Sequence, residues 1–185
     1  MIEIRWHGRG GQGAWTASNI LAMAAIKEGK HIQSFPAFGP ERMGAPIVAF
    51  TRISEEPIEV HSGIYKPDIV VVLDPTLLVS VPVAEGLKEG GKIIVNWGED
   101  KKKLLELLKI DRKYKMFAVP ATEIAVRILG RGITNTAMIG ALIRAEPLVS
   151  LDNVLETIKE RFKGEIAEKN IQVVKEAYEK TEVVE

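Results

Sequence analysis

Cysteine is missing altogether from this 185-residue chain, and that absence removes several chemistries at once. There can be no disulfide, no thiol nucleophile, no thiolate zinc site and no ordinary iron–sulfur cluster held by this polypeptide alone. An excess of charge is missing too. Twenty-five basic residues balance 25 acidic ones, so nothing in the net charge calls for a nucleic-acid partner. No apolar run approaches the ~20 residues of a membrane span, and the N-terminus begins directly with a strand pattern, so a cytoplasmic protein without membrane contact is expected. Histidine is scarce: His7, His31 and His61 lie about 25 to 30 residues apart, without the spacing of a metal site. No serine sits in a nucleophile elbow, no lysine follows the glycine-rich stretch as a P-loop requires, and no tight group of Asp and Glu suggests magnesium. No catalytic residue and no metal ligand are assigned. The sequence offers a place to bind but no apparatus to react.

What is present is concentrated near the N-terminus. Ile2, Ile4 and Trp6 alternate with Glu3, Arg5 and His7, the period-2 pattern of a strand. Gly8-Arg9-Gly10-Gly11-Gln12-Gly13 follows. Ala14, Ala17, Ile20, Leu21, Ala24 and Ala25 then recur at helical spacing up to Gly29. Glycine permits positive φ and close approach to the main chain, and the unpaired N–H groups of a helix's first turn attract anions. Gly8, Gly10 and Gly13 satisfy G-x-G-x-x-G in the strand–turn–helix setting that the motif needs. A dinucleotide site also needs an acidic residue about 20 positions further on, at the end of the second strand. Here that strand, about Lys30 to Phe35, ends in Gln33-Ser34-Phe35-Pro36 without a carboxylate. Three readings stay open: a phosphate-bearing ligand, a nicotinamide cofactor, or glycines required only by a tight turn.

The remaining pattern is that of one domain, residues 1–185. Its fold class is α/β: a three-layer α/β/α arrangement with a mixed, mostly parallel sheet, a Rossmann-like first βαβ unit and an inserted β-hairpin. The second strand should run parallel to the first, because a helix connects them. Residues 46–53 read as a strand, and 58–61 as its antiparallel return, since the connection is too short for a crossover helix. Residues 68–73 form a continuous apolar run, as in a strand covered on both faces. Asp74-Pro75 then reads as a helix start, with Asp74 as a catalytic acid the competing reading; residues 76–89 are expected to be helical, interrupted at Pro82. Strands at 91–97 and 115–119 alternate with helices capped by Asp100, running over about 121–129, starting after Thr134, capped by Ser150, and spanning about 165–180. Basic residues crowd the stretch from 101 to 115, which is read as a solvated surface.

Phe35 to Pro46 is a loop fixed by three prolines and two glycines. By composition it is either an ordered surface loop or a ligand or partner contact. The glycine loop, then Phe38-Gly39-Pro40-Glu41-Arg42-Met43-Gly44, then Leu73-Asp74-Pro75, then Asn135-Thr136 with Gly140-Ala141, together resemble the gamma subunit of archaeal and bacterial 2-oxoacid:ferredoxin oxidoreductases. The resemblance is to the pyruvate (pyruvate synthase) or 2-oxoisovalerate type and covers essentially the whole chain. Phe38 stands where the family commonly has Tyr, and Met43 intervenes where Arg-Gly-Gly is usual. The resemblance implies a non-redox subunit of an enzyme that converts a 2-oxoacid, coenzyme A and oxidised ferredoxin to acyl-CoA, carbon dioxide and reduced ferredoxin. Thiamine diphosphate, magnesium and 4Fe-4S clusters would belong to partner alpha, beta and delta subunits. This chain would hold no cofactor by itself and no complete active site. It further implies that Gly8, Arg9, Gly10, Gly11, Gln12 and Gly13, with Phe38, Gly39, Pro40, Glu41 and Arg42, help to hold coenzyme A, Arg9 and Arg42 serving as charge partners. The alternatives are a stand-alone dinucleotide-binding oxidoreductase and a purely structural subunit that binds no nucleotide.

Overall fold

A computed structural model describes residues 1–37, 42–109 and 113–184. Strand β1 (Ile2–Arg9) leads into helix α1 (Ala14–Ile26), which returns through β2 (His31–Pro36) and β3 (Pro46–Ser54). The chain continues as β4 (Ile69–Val72), β5 (Lys92–Asn96), α2 (Lys101–Leu108), β6 (Lys115–Val119), α3 (Ala121–Leu129), α4 (Asn135–Ala145), α5 (Leu151–Arg161), α6 (Gly164–Lys180) and β7 (Glu182–Val184). The strands form one sheet in the order β2-β3-β1-β4-β5-β6-β7. Strands β1, β4, β5 and β6 pair in parallel, whereas β3 is antiparallel to both β1 and β2, and β7 is antiparallel to β6. The sheet is therefore mixed, with β2 running in the same direction as β1 but separated from it by β3.

That insertion corrects the reading of residues 58–61 as an antiparallel return. They form no strand. Both edges of β3 are already taken, by β1 on one side and β2 on the other, so a third partner has no hydrogen-bonding row to join. The hairpin is β2–β3. The coil after β3 is held by side chains instead: Gln33 Nε2 donates to the Val60 carbonyl at 2.8 Å and Arg52 Nη2 to the Gly63 carbonyl at 3.3 Å. The helix expected over 76–89 is also replaced. A 3₁₀ turn at Pro75–Val79 gives way to turns, with Pro82 lacking the N–H that a helix needs and Gly86 at φ 73°. Strand β7 was not legible, being only three residues long.

Alternation along the parallel strands divides the interior. Val71 and Ile94 face a core built with α1, α3, α4, α5 and α6; Val70, Val72, Ile93 and Val95 face a smaller core with α2 and the 3₁₀ turn. Trp6 is fully buried in the larger core, and its indole N–H donates to Thr51 Oγ1 at 2.9 Å. Ser18 of α1 meets Thr51 Oγ1 and the Phe50 carbonyl at 2.6 and 2.8 Å, which pins the helix to β3. Crossovers from β1 and β4 thus go to opposite faces of the sheet. Open α/β sheets bind ligands beyond the carboxyl ends of strands at such a switch point, and β1 runs there directly into the glycine loop.

Candidate functional site

The loop is stitched to two neighbouring segments. Gly10 N donates to the Ala45 carbonyl at 2.8 Å and Gly44 N to the Gly10 carbonyl at 3.1 Å. A Cβ on Gly10 would collide with the Arg42 carbonyl oxygen, so only glycine lets the two main chains lie this close. Gln12 turns back over the loop. Its Oε1 accepts from Arg9 N at 2.7 Å, while its Nε2 donates to Asp74 Oδ2 at 2.6 Å. Asp74 Oδ1 accepts from Thr76 N and Oγ1 at 2.9 and 2.6 Å, so it caps the 3₁₀ turn as its position before Pro75 implies. Burial acts to raise the pKa of this carboxyl, but hydrogen bonds from Thr76 and Gln12 and the Arg9 cation outweigh it and hold the group below its ordinary range. Asp74 is a fixed anion of the scaffold.

Arg9 is spent within the chain. Its Nε lies 3.3 Å from Asp74 Oδ2, its Nη2 donates to Thr76 Oγ1 at 2.9 Å and its Nη1 to the Gly44 carbonyl at 3.1 Å. His7, just before the loop, is buried, and its Nε2 accepts from Arg5 Nε at 3.0 Å. Burial, reinforced by the Arg5 cation, pushes its pKa down to about 3. Near neutral pH it is a neutral acceptor for Arg5.

Beyond the loop, α1 begins. Gly13 at its N-cap adopts φ 79°, no side chain caps the first turn, and no acidic residue stands in that turn. The end of the helix opens onto a cleft of about 500 Å³ lined by Gly11, Gly13 and Thr16 on one side and by Arg131, Asn135, Arg161 and Lys169 among others, with no carboxylate in its lining among the described residues. Asn135 is 7% exposed. Its Oδ1 accepts from Thr136 N at 2.8 Å, and its Nδ2 lies 2.6 Å from where a Cβ on Gly13 would sit. Among the described residues no hydrogen-bond acceptor meets that Nδ2. Backbone amides and positive side chains thus face one solvent-filled space, which suits a phosphate-bearing anion.

Residues 3–180 match the family model described as pyruvate ferredoxin/flavodoxin oxidoreductase. The chain belongs to this family. It is 56% identical, over all 185 residues of both chains, to the pyruvate/ketoisovalerate oxidoreductases common subunit gamma of Pyrococcus furiosus. It is 48% identical over 178 residues, 96% of each chain, to the pyruvate synthase subunit PorC of Methanocaldococcus jannaschii. Its fold superimposes on the crystal structure of pyruvate oxidoreductase subunit PORC from Thermotoga maritima with a TM-score of 0.88 and 39% identity, covering 100% of this chain and 98% of that one. The chain is a gamma subunit of a 2-oxoacid:ferredoxin oxidoreductase of the pyruvate synthase type.

Of the residues singled out in this gamma subunit by sequence, Gly8, Arg9, Gly10, Gly11, Gln12 and Gly13 do lie together. Gly8 is the penultimate residue of β1, where a Cβ would meet Ala14 and Gln12, and Gly11 (φ 90°) faces the Met43 side chain. Phe38, Gly39, Pro40 and Glu41 lie outside the described residues. Arg42 is exposed, and its carbonyl accepts from Ala45 N at 3.0 Å. The cations that line the cleft are others: Arg131 after α3, Arg161 at the end of α5 and Lys169 within α6. Sequence reasoning missed them because they are about 120 to 160 residues from the loop in the chain and belong to no motif. Asn135, by contrast, was part of the Asn-Thr signature, though not assigned to the site.

Proposed function

We infer that this gamma subunit helps hold the phosphate end of coenzyme A and helps assemble the enzyme. That enzyme would convert a 2-oxoacid, coenzyme A and oxidised ferredoxin to acyl-CoA, carbon dioxide and reduced ferredoxin. The observation that carries the reading is that the open amino end of α1 and a group of cations face the same cleft. Coenzyme A carries a pyrophosphate and a 3′-phosphate, both suited to such surroundings. Holding the remote end of the substrate would convert binding into orientation of its thiol. Bond cleavage and electron transfer fall to alpha, beta and delta partners, which carry thiamine diphosphate, magnesium and 4Fe-4S clusters in this reading. Residues 1–185 act in it as one cytoplasmic domain, supported by the single sheet that links β1 to β7. The loop Phe38–Gly44 would line the same cleft or the seam with the catalytic subunits. A stand-alone nicotinamide enzyme is disfavoured, because β2 ends without a carboxylate and β3 separates it from β1.

Gly10→Val tests this reading in the assembled enzyme. The side chain would force the loop away from Arg42, misdirecting the amides of Gly11 to Thr16. The KM for coenzyme A should rise about tenfold or more, the equivalent of one lost charge-assisted hydrogen bond, with a smaller change in the KM for the 2-oxoacid. An unchanged KM for coenzyme A in a folded variant would remove the loop from the site and leave a structural subunit.

A further inference from the structure

We propose that Arg131 and Arg161, with Lys169 at the rim, form a phosphomonoester subsite in this cleft that recognises the 3′-phosphate of coenzyme A. The proposal rests on the coenzyme A reading and adds what makes the site selective. A helix N-terminus presents roughly half a positive charge, too little to balance a pyrophosphate and a monoester together. The monoester alone carries about −1.5 to −2 near pH 7. The cleft supplies the remainder from three separate elements: the loop after α3, the last residue of α5 and the second turn of α6. Lys169 pairs with Glu165 at 2.8 Å. Arg131 and Arg161 have no carboxylate within 4.0 Å among the described residues. The negative ends of the α5 and α3 dipoles favour cations at Arg161 and Arg131, and both line the same cavity.

Two further features complete the cleft, and the second favours a nucleotide over a free anion. Asn135, a residue only 7% exposed, lines the cleft with its Nδ2 beside Gly13 and no acceptor for it among the described residues. Ile133 and Ile166, 36% and 61% exposed, add apolar wall to the same cavity. A purine ring linked to phosphates uses such walls; an inorganic anion does not. In this arrangement the pyrophosphate sits over α1 and the 3′-phosphate between the arginines.

The test compares coenzyme A with 3′-dephospho-coenzyme A, which keeps the pyrophosphate and the adenine, in the assembled enzyme. The parent enzyme should show a KM about tenfold or more lower for coenzyme A than for the dephospho form. The double variant Arg131→Ala/Arg161→Ala should bring the two within about threefold, chiefly by raising the KM for coenzyme A. Arg131→Lys/Arg161→Lys, which keeps the charges, should restore much of the difference. Both side chains are exposed, so thermal unfolding should stay at the parent temperature. A discrimination that survives the alanine variant, or an equal rise for both substrates, overturns the 3′-phosphate assignment. If Gly10→Val still raises the KM for coenzyme A in that case, the loop keeps its role; if it does not, the underlying reading falls as well.

Discussion

Gln12 shows how one neutral side chain can hold a loop together. Its two ends serve as acceptor to Arg9 N and donor to Asp74, a division that only an amide provides. Gln12→Glu would set a second carboxylate against Asp74, so that one of them must take up a proton or both repel. The variant should lose about 1–3 kcal/mol at pH 7 and recover part of that as pH falls towards 5, as urea denaturation at the two values would show. His7 has the opposite pH signature. Its pKa falls from an unfolded value near 6.5 to about 3 in the fold, so the unfolded chain binds the proton first. Stability from this group is intact above the unfolded pKa and declines as pH falls from about 6.5 towards 3, by at most about 1.4 kcal/mol per pH unit. His7→Gln keeps an acceptor for Arg5 and should flatten the acid limb of a stability–pH curve; an unchanged slope would place the acid sensitivity elsewhere. Both residues were visible in the sequence, but their roles follow from neighbours that the chain brings back 62 residues later, as between Gln12 and Asp74, or from burial.

At the scale of elements, α4 is the buried pillar of the larger core. Ten of its eleven residues are buried, because it lies between the sheet and α6. Its N-cap residue, Thr134, does not cap: the hydroxyl donates to the Leu73 carbonyl at 3.3 Å, and Asn96 Nδ2 donates to the same oxygen at 2.8 Å. The ends of β4 and β5 and the start of α4 are thereby tied beside the cleft. Gly140 allows α4 and α6 to touch, since a Cβ there would strike the Val174 carbonyl oxygen and approach Tyr178 N. Ala favours a free helix by up to about 1 kcal/mol over Gly, yet the obstacles are backbone atoms that cannot rotate away. Gly140→Ala should therefore destabilise by about 1–3 kcal/mol, measured by thermal unfolding, and stabilisation would mean that the helices separate easily. Which helix packs against Gly140 was settled by the return of the chain through α5 into α6.

Across the whole molecule, α1 is apolar on its outer side as well as its inner one. Trp15, Met23 and Ile26 are about half exposed and, at 100° per residue, share one face of the helix with Asn19. A helix apolar all round is normally covered, which supports the inferred assembly role. Met23→Glu/Ile26→Glu should leave the isolated subunit's stability within about 0.5 kcal/mol but lower the yield of complex when it is co-expressed with its partner subunits; full recovery of the complex would direct assembly to another face. No helix among the described residues is long and apolar enough to cross a membrane, and the formal net charge is zero.

The local code was sufficient for most elements. Period-2 strands, the stripe of α1, the Asp100 and Ser150 caps and the glycine loop were all readable because each is decided within a few residues. So was the family, since its motifs keep their order along the chain. Pairing was not readable at β3, because the alternating pattern fixes which face is buried and leaves the neighbour open. The same limit applies to 58–61, whose pattern suits a strand that the finished sheet has no edge to accept. The cleft depends most on tertiary structure. Amides from the first helix meet cations from the third, fifth and sixth helical regions only after the chain has folded back on itself, and no local preference records where two distant charges will face each other.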